Sequence, residues 1–330
     1  MSLSASSAPS PRGWRARLAG ATAFRFESLL VLAALVAVMA VLSPVFLSVS
    51  NFLNIVLSTS VIGVLAIGMT FVICSAGIDL WVGSLVGLSG VVGALTTANL
   101  GLPWPACILA CLAAGAFAGS VNGFLITKGG IPPFIATLGM LGVARGVALV
   151  LSNGVSIYGL PPEVVYLGQG RPLGVPTPVI VLLVVAFAAH VALIHTRFGV
   201  YAQVIGDNEA AARAMGVRVE RHKVLLYALS GLLAGLAGLL FAARINSGEP
   251  TAGLNYELTA ITATIIGGTN LFGGRGSVIG TIIGAMIMGV LQNGLNLLAV
   301  QPFYQQIAIG AVLVLAVWLD RVNSAEGWRR

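Results

Sequence analysis

Ten apolar blocks dominate this sequence, and they constrain the fold more than any other feature. A helix needs about 20 mainly apolar residues to cross a bilayer, and most of the blocks approach that length. Only 8% of the residues are charged, whereas a soluble domain carries about 25%. The pattern predicts an all-α, polytopic membrane protein with about ten transmembrane helices in the lipid bilayer. The blocks span residues 28–47, 52–74, 84–100, 105–127, 134–151, 178–193, 224–243, 256–266, 278–300 and 303–319.

The distribution of basic residues predicts the orientation of these helices. Fourteen of the 17 Lys and Arg side chains lie in the two terminal segments or in connections on the same side of the membrane as both termini. The positive-inside rule assigns that side to the cytoplasm. The same rule accounts for the net charge of +7, so we expect no nucleic-acid partner.

These observations divide the chain into three parts. Residues 1–27, which are rich in Ser, Ala and Pro, are expected to form a disordered cytoplasmic tail. Residues 28–320 are expected to form a single transmembrane domain, and residues 321–330 a second cytoplasmic tail.

The connection formed by residues 196–223 is the most charged part of the chain and holds eight of its 27 charged side chains. Within it, the sequence from Gly206 to Gly216 predicts one short helix. A polar cap comes first, then an acid that suits the positive first turn, then strong helix formers, and Gly216 closes the helix in a left-handed conformation. Such a helix on the cytoplasmic face is expected to meet a partner protein. The residues expected to couple to it are Gly206, Asp207, Asn208, Glu209, Ala211, Ala212 and Gly216.

Two segments interrupt the apolar pattern with the same arrangement of residues. Residues 77–87 and 268–280 share the pattern G-x-[DN]-L followed by G-S-x-x-G, with Asp79 and Asn270 at the [DN] position. Broken helices in membranes occur only where the backbone is buried in protein or lines water, so a matched pair is typical of a transport site. Two ordinary turns between helices explain the pattern equally well. Residues 258–266 reach only about 14 Å as a helix, which is too short to cross the hydrocarbon.

No enzymatic motif is present in the sequence. A P-loop requires Gly-Lys-[Ser/Thr], and Lys128 and Lys223 follow Thr and His. No serine has glycines at both −2 and +2, and no H-E-x-x-H motif occurs. The sequence therefore predicts no catalytic residue, no metal site and no cofactor.

Several stretches resemble the permease subunits of bacterial ABC importers for ribose, xylose and arabinose. The resemblance extends from about residue 51 to residue 320. Ala76 and Trp81 depart from it, because the family usually has Gly and Ser there, which leaves the local shape beside Asp79 open. The matching stretches are residues 60–73, 76–80, 82–84, 122–128, 131–140, 144–146, 196–199, 206–208, 211–212, 216–217, 230–231, 250–253, 267–269, 273–277 and 292–297.

The resemblance implies a transport complex in the bacterial inner membrane. It implies two copies of this permease, ATPase domains that carry the P-loops missing here, and a periplasmic sugar-binding protein. It also implies that residues 206–216 are the coupling helix seated in a groove of the ATPase. We expect import of a pentose or hexose by alternating access. A self-sufficient secondary transporter or facilitator is the alternative, and a structural or signalling membrane protein is a third.

Polar residues inside the apolar blocks or in the two interrupting segments are candidates for the translocation path. Arg145 is the only charge well inside a confident block, and an unpaired guanidinium there is costly. It is therefore expected to hold a partner, as a structural pin or as a substrate contact. Asparagine amides can exchange hydrogen bonds with sugar hydroxyls at little net cost, or can tie helices together. The candidates are Asp79, Asn122, Arg145, Asn270, Asn293 and Asn296.

Overall fold

The computed structural model describes residues 12–327 and, of their side chains, those of residues 27–318 and 321. Thirteen α-helices contain about three quarters of these residues. The only strands within it are β1 (Ile157–Tyr158) and β2 (Ser247–Gly248), which pair antiparallel. The helices are α1 (Arg12–Leu42), α2 (Val49–Cys74), α3 (Val82–Ala94), α4 (Trp104–Thr127), α5 (Pro133–Ser152), α6 (Pro162–Gln169), α7 (Thr177–His195), α8 (Arg197–Asp207), α9 (Glu209–Ala214), α10 (Val219–Ile245), α11 (Tyr256–Ile266), α12 (Val278–Leu297) and α13 (Pro302–Gly327).

The apolar helices confirm the predicted fold class. Seven helices in the described part of the chain are long and apolar enough to cross a membrane, and three further apolar segments are shorter. The shorter ones are Glu27–Leu42, Tyr256–Ile266 and Pro302–Trp318. All ten apolar blocks are thus mainly helical, and the chain is an all-α polytopic membrane protein. The number that cross, and the side on which the termini lie, stay predictions.

Helix α1 extends further toward the amino terminus than the apolar pattern indicates. It begins at Arg12, so residues 12–27, which we expected to be disordered, are helical. The rest of that predicted tail, residues 1–11, lies outside the described residues. Of the predicted carboxyl-terminal tail, residues 321–327 continue α13, and residues 328–330 lie outside the described part.

Helix α2 forms the centre of the bundle. Its residues 59–74 are all buried, and it packs against α7, α10, α11 and α12. A helix that is apolar on every face is stable only when other helices surround it. Small residues permit this close packing. A side chain at Gly68, for example, would meet the backbone of Ser230 on α10 at 3.1 Å.

Helices α4 and α10 form the most extensive contact between two helices in the described bundle. Backbone meets backbone there, because Gly115 and Gly119 of α4 face Gly231 and Gly235 of α10. Glycines at this spacing let two helices approach without intervening side chains. The contact fixes α10 against the rest of the bundle and so places the charged loop that precedes it.

Candidate functional site

The charged loop, residues 196–223, lies at one end of the bundle, which we call the loop end. It contains the two helices α8 and α9. The sequence predicts one helix over residues 206–216, and this prediction is wrong in its start. Gly206 and Asp207 belong to the end of α8, the backbone breaks at Asn208, and α9 covers only Glu209–Ala214. Asn208 is the cap of α9, since its side-chain oxygen accepts the N–H of Ala211 at 3.0 Å. Gly216 has φ +83°, the left-handed conformation that was expected.

Ion pairs hold α9 against the start of α10. Arg213 pairs with Glu209 at 2.7 Å and with Glu220, while Lys223 reaches the other oxygen of Glu209 at 2.6 Å. The hydrogen bond from Lys223, followed by that from Arg213, holds the pKa of Glu209 below its ordinary value. Because these side chains are partly exposed, water weakens each pair, but together they restrict the position of α9.

The two central alanines of α9 face opposite ways. Ala212 is fully buried and packs with Ile205 and Val219. Ala211 is exposed, as is Met215 one turn further on. Ala212 therefore positions the helix, whereas Ala211 and Met215 belong to the surface that is open to a partner. Contact of either alanine with a partner stays a prediction.

Gly206 joins the charged loop to the centre of the bundle. A side chain at this position would collide with the carbonyl of Cys74 and the N–H of Gly274. Those two groups are themselves hydrogen-bonded, at 3.0 Å. The end of α8, the end of α2 and the turn after α11 thus meet at one point of backbone contact.

Residues 75–81 are the first break in the bundle. They follow α2 at the loop end and lead to α3, which begins deeper in the bundle. The Asp79 carboxylate is fully buried and accepts a hydrogen bond from Ser230 at 2.8 Å. Tyr227 donates to the carbonyl of Ile78 at 3.2 Å. Both partners lie on α10, so this helix anchors the first break: Ser230 holds the Asp79 side chain, and Tyr227 supplies a hydrogen bond to backbone that lies outside a helix.

The second break is not where the repeated pattern predicts it. Residues 267–277 form a turn at the loop end, where Gly274 contacts Cys74. The second break is instead formed by residues 246–255, a short strand followed by turns, which run antiparallel along α3. Gly248 lies against Gly90, and Gly253, with φ +74°, lies against Gly83. The short helix α11 begins only at the inner end of this segment, which explains its length.

Arg145 on α5 binds the second break. Its Nη1 donates to the carbonyls of Pro250 at 2.5 Å and Ala252 at 2.9 Å. These carbonyls have no helical partner, so the guanidinium replaces the bonds that the non-helical backbone lacks. Glu249 and Glu257 are close enough to interact with Arg145 electrostatically. The expectation of a partner for Arg145 is confirmed, and the partner is broken backbone.

Three of the four candidate asparagines lie in hydrogen-bonded positions away from Arg145. Asn293 exchanges two hydrogen bonds with Asn51, at 2.8 and 3.0 Å, and so ties α12 to α2. Asn296 accepts from Gln305 at 2.8 Å. Asn270 accepts the N–H of Phe272 at 2.9 Å within the turn at the loop end. A direct role for these three in the path stays a prediction.

Asn122 differs from the other asparagines. It is fully buried on α4, and among the described residues neither its amide nitrogen nor its oxygen has a hydrogen-bond partner. One oxygen of Asp79 has no side-chain or backbone partner by the same criterion. Buried polar groups without a partner are costly, so a role of Asn122 and Asp79 in the translocation path stays a prediction.

Sequence reasoning missed the residues that complete these contacts. Ser230 and Tyr227, which hold the first break, sit in an apolar helix and give no signal of their own. Glu249 and Glu257 flank the second break, and Pro250 and Gly253 within it are the signal that could have located it. Proline and glycine directly before an unusually short apolar block indicate non-helical backbone.

Comparison with known proteins shows which family the chain belongs to. Residues 51–317 match the family described as the permease component of branched-chain amino acid transport systems. The chain belongs to this permease family. The ribose import permease of Escherichia coli strain K12 is 46% identical over 304 residues, which cover 89% of this chain and 92% of that protein. No solved structure matches the chain.

Other members of the permease family are also similar over most of this chain. The ribose import permease of Bacillus subtilis strain 168 is 46% identical over 294 residues, covering 88% of this chain and 91% of the relative. The D-allose transport permease of Escherichia coli strain K12 is 38% identical over 305 residues, covering 91% and 92%. Permeases of this family are integral proteins of the bacterial inner membrane, and this chain is one of them.

Proposed function

We propose that this chain is the membrane-spanning subunit of an ATP-driven importer of a monosaccharide. The identity of 46% with ribose import permeases over nearly the whole chain carries the proposal. The energy is supplied by a separate ATPase subunit, and a periplasmic sugar-binding protein delivers the substrate. Pentoses and hexoses are the substrate class, since the relatives are named for ribose and allose.

In this proposal all ten apolar segments cross the membrane. Both termini and residues 196–223 lie in the cytoplasm, which the concentration of Lys and Arg on that side supports. The loop end is then the cytoplasmic end of the bundle. The first break enters the membrane from the cytoplasm and the second break enters it from the periplasm.

The translocation path lies along α5 and the second break. Arg145, Glu249 and Glu257 are only half-buried, and Thr251 is exposed. Charged side chains at membrane depth face protein or water and not lipid. This face is therefore covered by a second copy of the permease, and the two copies enclose a polar path between them. Asn122 and Asp79 contribute buried polar groups on the cytoplasmic side of the same path.

The contact at Gly206 supports a coupling mechanism. The ATPase binds the exposed face of α9, and α8 transmits its movement to the Cys74–Gly274 contact. Both α2, which leads into the first break, and the turn after α11 meet there. A displacement of the loop thus changes the positions of the segments on either side of the path, which alternating access requires.

Reconstitution tests the function directly. The permease, its ATPase and its binding protein are placed in liposomes, and uptake of labelled ribose, allose and xylose is measured with and without ATP. We expect uptake of one of these sugars only with ATP, and no loss when an uncoupler removes the proton gradient. Uptake without ATP that stops with the uncoupler would support the secondary transporter, for which the buried Asp79 would be the candidate proton carrier.

A further inference from the structure

A cavity of about 290 Å³ opens beside the start of α10, at the loop end. Its lining includes Arg218 and Arg221, Tyr201 of α8, Leu225, and Gly216 and Val217 of the preceding turn. Buried His222 also lines it, and its Nε2 contacts the carbonyl of Phe198 at 2.9 Å. None of the described residues that line the cavity is acidic.

The two arginines of this cavity are free of acidic partners. The ion pairs of the described loop use Arg213 and Lys223, and no described carboxylate pairs with Arg218 or Arg221. Both guanidinium-bearing residues are exposed. The cavity therefore combines two uncompensated positive charges with a concave surface, which suits an anionic group.

The length of α10 places the cavity at the membrane surface. With 27 residues, the helix is about 40 Å long, whereas the hydrocarbon core is about 30 Å thick and reaches 40–45 Å with headgroups. The first turns of α10 therefore lie at headgroup level. Leu225 is 55% exposed and lies one turn deeper than Arg221, where acyl chains begin.

We propose that this cavity binds the phosphate of an anionic phospholipid of the cytoplasmic leaflet, with Arg218 and Arg221 as its ligands. The order of the groups matches that of a lipid, since the basic side chains meet the phosphate and Leu225 meets the first acyl carbons. Basic clusters next to a transmembrane helix attract anionic lipids in this way. The lipid would pack beside the start of α10, directly after the loop that holds α9.

Lipid titration of the purified full-length chain in detergent tests this site. Bound phosphatidylglycerol is counted by native mass spectrometry for the wild type, for the Arg218→Gln/Arg221→Gln double variant and for Arg197→Gln. Arg197 is also exposed and without an ion pair among the described residues, but it lies outside the cavity, so it is the matched control. We expect the double variant to bind roughly 25-fold more weakly, about 5-fold for each arginine, and Arg197→Gln to be unchanged.

Further measurements distinguish a lipid site from three alternatives, which are diffuse surface charge, a site for free anions and a contact with the ATPase. Phosphatidylcholine with the same acyl chains should bind much more weakly than phosphatidylglycerol, and raising the salt should weaken phosphatidylglycerol binding to the wild type. Equal loss in Arg197→Gln would overturn the proposal in favour of diffuse surface charge. Equal thermal stabilisation by inorganic phosphate would show a site for free anions. Unchanged lipid binding in the double variant, with loss of ATPase binding, would assign the cavity to the ATPase.

Discussion

The backbone N–H of Gly274 donates to the carbonyl of Cys74 at 3.0 Å, and Gly206 lies against both groups. This hydrogen bond joins the end of α2 to the turn between α11 and α12. At this point the loop that is proposed to bind the ATPase contacts the bundle through backbone atoms, with no side chain between them. Its geometry leaves no room for a side chain on the loop.

Gly206→Ala is expected to separate the loop from the bundle. The added methyl group would collide with the Cys74 carbonyl and the Gly274 N–H, and overpacking of this kind costs about 1–3 kcal/mol. Thermal melting in detergent and ATP-dependent uptake should both decrease. Gly310→Ala on α13 is the control, because the space around that glycine is open. Equal melting temperatures for the two variants would contradict the contact at Gly206.

The two central alanines of α9 should respond differently to the same substitution. Ala211→Glu adds a charge to the exposed face and should weaken binding of the ATPase while the permease stays folded. Ala212→Glu buries a charge beside Ile205 and Val219 and should unfold the loop. The affinity for the ATPase and the amount of folded permease in the membrane distinguish the two. Leu173→Glu, at a fully exposed position outside the charged loop, should change neither.

Loss of the Arg145 guanidinium should destabilise the second break. Arg145→Met leaves the carbonyls of Pro250 and Ala252 unpaired, which costs about 2–4 kcal/mol when charged hydrogen bonds are lost. Arg145→Lys keeps the charge and should retain part of the stability and transport. Arg171→Met removes a charge from an exposed position and serves as the control. Wild-type transport by Arg145→Met would leave neither a structural nor a substrate role for this residue.

Ala76→Gly should stabilise the protein, although most substitutions do the opposite. Ala76 has φ +57°, a left-handed conformation that costs a residue with a side chain about 1–2 kcal/mol. Glycine relieves this strain at some entropic cost, so a gain of up to about 1 kcal/mol is expected. Ala148→Gly, at a buried position within α5, should have the opposite sign. A lower melting temperature for Ala76→Gly would show that Ala76 makes a contact that outweighs its strain.

The position of α9 should depend on pH only under acidic conditions. Because the pKa of Glu209 is lowered in the folded loop, its ion pairs contribute stability above the ordinary carboxyl pKa of about 4.3. That contribution is lost as the pH falls through the lowered value. A spin label on a cysteine at Met215, in a variant without the native cysteines, should become more mobile below about pH 4. In Glu209→Gln it should be mobile at every pH, and a label that is equally rigid in both variants would contradict the role of the ion pairs.

The apolar periodicity predicted the helices well because each block records the hydrophobic environment of one helix. Long blocks such as residues 52–74 and 278–300 gave α2 and α12 with small errors at the ends. The cap at Asn208 and the left-handed Gly216 were also predictable, since local backbone chemistry determines them. The exposed Ala211 and the buried Ala212 could not be told apart, because their difference depends on Ile205 and Val219 across the loop.

The candidate site was predictable only in part for the same reason. An arginine inside an apolar block has to find a partner, so the importance of Arg145 follows from the sequence. The identity of that partner depends on α3, whose glycines admit the second break, and this is a tertiary contact. The repeated pattern at Asn270 was compatible with a break in the bundle or with a turn at the end of a helix, because both use the same glycines. The structure has a turn there.

The Asn51–Asn293 pair lies at the end of α2 that is remote from Cys74, and it has a mechanical consequence. We expect the two reciprocal hydrogen bonds to make that end a pivot between α2 and α12. From Asn51 to Cys74, α2 is a rigid lever of about 34 Å. Rotation of about 5° around the pivot therefore moves Cys74 by about 3 Å, roughly the length of one hydrogen bond. A small change of angle at the remote end is thus enough to make or break the backbone contact at Gly274.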